Sequence, residues 1–384
     1  MTPNDKINEL LEQAHAARLR EQARQAAFLY EQARRLAIDS GQAALAFKIG
    51  VWTSRSWGNA GDYRRSLTVL LEILHRIPDT ADPWDVYEAK ELNFWYQLED
   101  KANTDLDQLT SCASELDSLC VSLGEADNRE IPHRAGSIFS AQGSWAEALT
   151  QYEIAWSRQN AQGAVHQNAA KAAYAALRLG RRADAQRWLT CITSEDWPDD
   201  ARVRAAYVRL RIALYDNDMP AARAALLSLD DAMQGIERLR WRAEVTEIAV
   251  AALVLDESFG DPLARGHPSG QRLAEFPHGE LRIPSPAYVW HKATIIRQIA
   301  GLRYAAGIKP VDDLYYQNPH KLRRRSAARL PKDIPNRVAA AREACDNATP
   351  VAVERDNSFR CSYRQQEINA MRSRIDEIAS VHNL

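Results

Sequence analysis

The 384-residue sequence has few cysteines, no long apolar run and almost no net charge. Its five cysteines are odd in number and form no CxxC pair, which argues against a disulfide framework or a zinc ribbon and favours a reducing compartment. The longest apolar run, 248–255, is far too short to span a membrane. The formal net charge of −2 excludes a chain that is strongly basic or acidic throughout.

Motifs of the common catalytic sites are also missing. The sequence has no glycine-rich phosphate loop, no HExxH and no GxSxG, and its nine histidines form no i, i+4 pair or Cys/His cluster with metal-ligand spacing. We therefore expect no enzyme activity, no cofactor and no metal site. An enzyme whose site lies unrecognised in residues 256–384 stays open as an alternative. The first residues, 1–6, form no apolar segment, so we expect no signal peptide and a cytoplasmic protein.

A helical repeat is the clearest positive feature. Gly143, Trp145, Ala148, Tyr152 and Ala155 combine a turn residue with small and aromatic residues at helical spacing. The pattern recurs 37 residues later, and again after another 37, at Gly180, Ala185, Leu189 and Ile192 and then at Asn217, Met219, Ala222, Leu226 and Leu229. It also fits earlier, at Gly61, Tyr63, Ser66, Leu70 and Ile73, with Pro78 following. The spacing predicts consecutive helical hairpins with turns at these glycine and asparagine positions.

These segments resemble tetratricopeptide repeats over roughly residues 15–232. The resemblance implies an all-α fold, a right-handed superhelical solenoid of helix-turn-helix repeats. We expect the solenoid to span 1–255 and to end in a helix over 236–255. Nine Gly or Pro residues in 260–286 predict a linker or loop over 256–286. A helical C-terminal region follows over 287–384, with helices predicted at 287–306, 338–347 and 363–381.

In such arrays the first helix of each pair lines a concave groove. From the glycine registers, the resemblance implies that the groove is lined by Lys48, Trp52, Arg55, His133, Arg134, Gln167, Lys171, Tyr174, Arg178, Arg204, Tyr207, Arg211 and Tyr215. This set contains seven Lys or Arg and no carboxylate, although residues 1–255 hold 29 basic and 36 acidic residues. A basic, aromatic groove in an acidic body predicts an anionic ligand, such as an acidic peptide, a chain-terminal carboxylate or nucleic-acid phosphates. The alternative is that the tyrosines pack and the arginines form a solvated face.

The C-terminal region carries a basic patch over 318–342. The patch contains eight Lys or Arg and only one acidic residue, Asp333, and two tyrosines precede it. The candidate residues are Tyr315, Tyr316, Lys321, Arg323, Arg324, Arg325, Arg329, Lys332, Arg337 and Arg342. Arginine binds phosphates and tyrosine stacks on bases, so the patch has the ingredients of a nucleic-acid site. Docking on the acidic solenoid body, or a solvated tether, are the alternatives.

The last predicted helix carries a stripe of Ile368, Met371, Ile375 and Ile378 at steps of three, four and three. Such a stripe caps the open end of a solenoid or mediates self-association.

Taken together, these features predict an adaptor or regulatory scaffold that binds a protein or peptide partner in its groove. A small-peptide receptor would share this mechanism. The alternative from another class is a nucleic-acid-associated regulator that uses the groove and the 318–342 patch. No membrane partner is expected.

Overall fold

Within the described residues, every regular element is an α-helix. The computed structural model describes residues 2–158, apart from 21, 61, 101–103 and 126, then 167–192, 199–216 and 334–381, and eleven single positions between 218 and 302. The helices bounded in these ranges are α1 (Pro3–Leu19), α2 (Ala23–Asp39), α3 (Ala43–Asn59), α4 (Tyr63–His75), α5 (Pro83–Asp100), α6 (Leu106–Ser122), α7 (Glu130–Gln142), α8 (Trp145–Ser157), α9 (Gln167–Arg178), α10 (Arg182–Thr190), α11 (Asp199–Asp216), α12 (Ile334–Ser358) and α13 (Tyr363–Val381). The all-α prediction is confirmed for this part of the chain.

The chain divides into two compact units, with the boundary between Asn128 and Arg129. This boundary falls inside the 1–255 segment predicted as one array. The predicted linker over 256–286 and the predicted helix over 236–255 lie outside the described residues. Of the helix predicted over 287–306, only single positions are described, and all of them are helical.

The first unit is a run of consecutive helices, each packed on the next from α1 to α6, with α3 also contacting α5. Helix α1 begins with a capping box between Thr2 and Asp5, and Pro3 follows in the first turn, which satisfies the free N–H groups of that end. On α2, Ala26, Tyr30, Ala33 and Ala37 recur at steps of four, three and four and are all buried. The small alanines allow neighbouring helices to approach closely.

The second unit begins with α7 to α11, which also pack in chain order, and α9 additionally contacts α11. Two of the predicted turn residues are described, and both fall between helices: Gly143 between α7 and α8 has φ +77°, and Gly180 between α9 and α10 has φ +71°. Both values lie in the left-handed region that glycine tolerates best. The predicted turn residues Gly61 and Asn217 lie outside the described residues. At Gly136 a Cβ atom would lie 2.7 Å from the Tyr152 ring, so the missing side chain is what lets α8 approach α7.

Helices α12 and α13 form a packed pair in the same unit. Helix α13 begins and ends where the sequence predicts, but the short helix predicted over 338–347 is the middle of a 25-residue helix that continues through Pro350. The stripe of Ile368, Met371, Ile375 and Ile378 is fully buried in a core shared with α12 and with Ile295, Ile299 and Leu302. The stripe therefore offers no exposed surface for the predicted self-association, because its side chains already pack within the unit.

Candidate functional site

Four of the predicted groove residues of the second unit converge at one place. His133 and Arg134 of α7, Lys171 of α9 and Arg204 of α11 form this group, which we name the cationic cluster. The Lys171 ammonium donates to Nε2 of His133 over 2.7 Å and to Oγ of Ser137 over 3.1 Å. Helices α7, α9 and α11 thus bring basic side chains near His133.

The cationic cluster is partly buried within the second unit and only partly exposed to solvent. His133 is 2% exposed and Arg134 is 0% exposed, whereas Lys171 and Arg204 are partly exposed. His133 and Arg134 therefore do not line an open surface as predicted. They lie beneath it, and Lys171 and Arg204 are the members that an outside ligand could reach.

His133 is held in its neutral form. Burial lowers its pKa well below the ordinary 6.5, and the charges of Lys171, Arg134 and Arg204 lower it further. A hydrogen bond of 2.5 Å between Nδ1 and Oδ1 of Asn168 acts in the opposite direction. Since Nε2 accepts a hydrogen bond from the Lys171 ammonium, Nδ1 is the ring nitrogen that donates to Asn168. The ring thereby links α7 to α9 and fixes the Lys171 head group.

Aromatic rings extend the cluster along α9. Tyr174 meets Trp145 edge-on, with 5.7 Å between the ring centroids. The Arg178 guanidinium lies 4.4 Å from the Trp145 ring centroid, and that of Arg204 lies 5.7 Å from the Tyr174 ring centroid. The rings are therefore in cation–π contact with guanidinium groups of the same unit.

The first turn of α13 packs beside these residues. Glu367 accepts a hydrogen bond from Nη2 of Arg178 at 2.6 Å, and Tyr363 meets Trp145 edge-on. Nη2 of Arg364 donates to the carbonyl oxygen of Ala141, near the C-terminus of α7, over 2.8 Å. The N-terminal end of α13 thus packs against the α7–α8 turn.

Asp356 organises the junction between α12 and α13. It is fully buried and pairs with the equally buried Arg364 at 3.1 Å. Its oxygens also accept from the backbone N–H groups of Arg364 and Gln365, in the first turn of α13. A carboxylate at this end of a helix is stabilised by the helix dipole and satisfies N–H groups that have no partner within the helix.

The two basic residues among the predicted groove residues of the first unit form ion pairs with acidic side chains. Lys48 lies 3.7 Å from Asp85, and Arg55 lies 2.8 Å from Glu88, both on α5. Burial raises the pKa of Asp85, and the neighbouring Lys48 opposes that rise. Trp52 packs edge-on against His15, whose Nδ1 is hydrogen-bonded to the Tyr30 hydroxyl.

The sequence register suggested that the predicted groove residues have no carboxylates among them. In the structure, however, carboxylates pair with three of these residues. Asp85, Glu88 and Glu367 come from positions outside that register and neutralise Lys48, Arg55 and Arg178. Ser137, Asn168 and Glu367 are the residues of the second unit's site that the sequence analysis missed. Asn168 could have been found, since it precedes Lys171 by three residues on the same helix face. No local pattern connects Glu367 to Arg178.

Several predicted residues lie outside what the structure describes. Gln167, Tyr207, Arg211 and Tyr215 lie on α9 and α11, but their side chains are outside the described residues. The same holds for the whole of Tyr315, Tyr316, Lys321, Arg323, Arg324, Arg325, Arg329 and Lys332. Arg337 and Arg342 are described on α12, and Arg342 donates to Asp376 of α13 from both Nε and Nη2. That one member of the patch docks on a neighbouring helix.

In the part of the chain that the structure covers, no set of three or more His, Cys, Asp or Glu side chains is arranged to hold a metal ion. No helix in those same ranges has the length and apolarity to cross a membrane. Burial raises the pKa of Cys345 to about 11, so this thiol stays protonated at neutral pH and is a poor nucleophile.

The sequence matches no protein-family model, and no curated protein is significantly similar to it. The resemblance to tetratricopeptide repeats thus rests on the turn glycines and hairpin residues described above.

Proposed function

We propose that the chain is a tetratricopeptide-type array that binds an acidic segment of a partner protein, without catalysis, at the cationic cluster of α7, α9 and α11. Helices packed in chain order and left-handed glycines at the hairpin turns support the repeat architecture. The right-handed superhelix implied by the resemblance is part of the proposal.

One observation carries the binding proposal: Lys171 and Arg204, from two different helices, are partly exposed beside the buried His133 and the Tyr174 ring. Both side chains are cationic and partly exposed. An anionic group that reaches them therefore gains a favourable electrostatic interaction with both. The site is thus suited to carboxylates offered from outside.

The aromatic residues favour a protein partner over a nucleic acid. Unpaired bases bind by stacking on open aromatic faces. Arg178 and Arg204 already contact the Trp145 and Tyr174 rings, which reduces the ring surface available for a base. A protein segment needs only the exposed parts of Lys171 and Arg204.

Fluorescence anisotropy with short labelled peptides tests the proposal. Glutamate-rich peptides are titrated beside the same peptides with glutamine at every glutamate, and beside a single-stranded oligonucleotide. We expect binding of the glutamate peptides that weakens as salt is added, and little binding of the glutamine peptides. Equal binding of both peptide sets, or stronger binding of the oligonucleotide, would reject the acidic protein segment as the ligand.

A further inference from the structure

A large surface cleft lies in the first unit, apart from the cationic cluster. Its volume is about 1160 Å³, and it is lined by the C-terminal halves of α2 and α4, the start of α3 and one residue of α5. Phe47, Ile73 and Leu74 line it, and Phe47 and Ile73 are almost fully buried. Pockets for small molecules measure about 300–1,000 Å³, so this cleft has the size for a polypeptide segment.

Exposed apolar side chains gather at this cleft. Ile38 is 50% exposed and Leu71 is 52% exposed, and both line it. Ile77, 37% exposed, lies between the lining residues Arg76 and Pro78. Single exposed apolar residues are common on protein surfaces, but several of them at one cleft are typical of a binding surface.

The polar groups of the cleft carry a net positive charge. Arg34 is paired with Glu72 at 2.9 Å. Arg76, at the end of α4, is exposed and makes no ion pair within the described residues. The cleft therefore complements an apolar segment that carries an acidic residue near Arg76.

From these observations we propose that the cleft binds an amphipathic segment of a partner protein, with its apolar face on Ile38, Leu71 and Leu74 and an acidic residue against Arg76. This site is separate from the cationic cluster and takes a ligand of different character, because its main contact is apolar.

Selection from a displayed random-peptide library on the full chain tests the proposal. We expect the selected peptides to combine large apolar residues with Asp or Glu. Leu71→Glu should weaken their binding by about tenfold or more, because a buried leucine contact is lost and a repelling charge is placed in the cleft. The matched control is Leu19→Glu, which changes a strongly exposed leucine of α1 outside the cleft and should leave the affinity unchanged. Circular dichroism checks that each variant keeps its helices.

A second variant tests the charge separately. Arg76→Glu should weaken a selected acidic peptide by several-fold and leave its glutamine version unaffected. Equal binding to the wild type and to Leu71→Glu would overturn the cleft as the site, as would a selection that returns no peptide. Sedimentation of the free protein tests the other possible occupant of the cleft, a second copy of the chain. A dimer that Leu71→Glu dissolves would mean that a second copy, and not a partner segment, fills the cleft.

Discussion

Arg178 of α9 and Glu367 of α13 form a buried ion pair, with 2.6 Å between Nη2 and Oε1. The two side chains are 9% and 8% exposed, and 189 positions separate them along the chain. Arg178 also donates to the Tyr174 hydroxyl, so the pair ties the C-terminal helix to the aromatic residues beside the cationic cluster.

Replacing Glu367 with Ala should lower the free energy of unfolding by about 3–5 kcal/mol, because a buried guanidinium loses its carboxylate. The double variant Arg178→Ala with Glu367→Ala should lose less than the two single losses combined, with a coupling energy of about 1–3 kcal/mol. Urea denaturation of the four proteins measures this cycle. Additive losses would mean that the two side chains contribute independently.

Asp356→Ala should be among the most destabilising single changes in α12 and α13. It leaves the buried Arg364 without its acid and removes the acceptor for two backbone N–H groups, which predicts a loss of about 3–5 kcal/mol. Asp346→Ala is the matched control, since it breaks the exposed pair with Arg372 and should cost at most about 1 kcal/mol. Similar thermal midpoints for the two variants would contradict the role given to Asp356.

Two turn glycines should respond differently to alanine. Both have positive φ, but a Cβ atom at Gly143 would lie 2.6 Å from the Tyr363 ring, whereas nothing lies within 4 Å at Gly180. Gly180→Ala should therefore cost about 1–2 kcal/mol from backbone strain alone, and Gly143→Ala about 2–4 kcal/mol once the steric conflict is added. Comparing their urea midpoints checks this. An equal loss in both would mean that Tyr363 does not pack on the α7–α8 turn.

The neutral state of His133 predicts a dependence of stability on pH. Its pKa is lowered in the folded protein, so below about pH 6.5 the unfolded chain binds a proton that the folded chain does not. Stability should therefore fall as the pH is lowered from about 7 to 5, by at most about 1.4 kcal/mol per pH unit from this residue. His133→Gln, which cannot titrate, should show a smaller fall in urea experiments at the two pH values. Parallel curves for the two proteins would show that His133 does not control the effect.

Local rules in the sequence predicted two turns between helices and the bounds of α13. Gly143 and Gly180 marked the turns because only a residue that tolerates positive φ fits there. The length of helix α12 was underestimated, because a proline such as Pro350 usually ends a helix. Here the chain continues helically through it.

Long-range partners could not be predicted in the same way. The periodicity of Ile368 and Met371 identified an apolar face but not the surface that covers it. Likewise, Lys48 and Arg178 were recognised as basic positions, but their partners Asp85 and Glu367 depend on which helices pack together. Tertiary contacts of this kind have no signature in local spacing.

The affinity of a glutamate-rich peptide for a Lys171→Ala, Arg204→Ala double variant tests the central claim most directly. Both side chains are partly exposed members of the cationic cluster, so their removal should weaken binding by about tenfold or more while the protein stays helical. The matched control removes the same charge from the exposed Arg181 and Arg187 at α10. We expect the control to bind like the wild type and the cluster variant to bind more weakly. Undiminished binding by the cluster variant, or an equal loss in both, would contradict this claim.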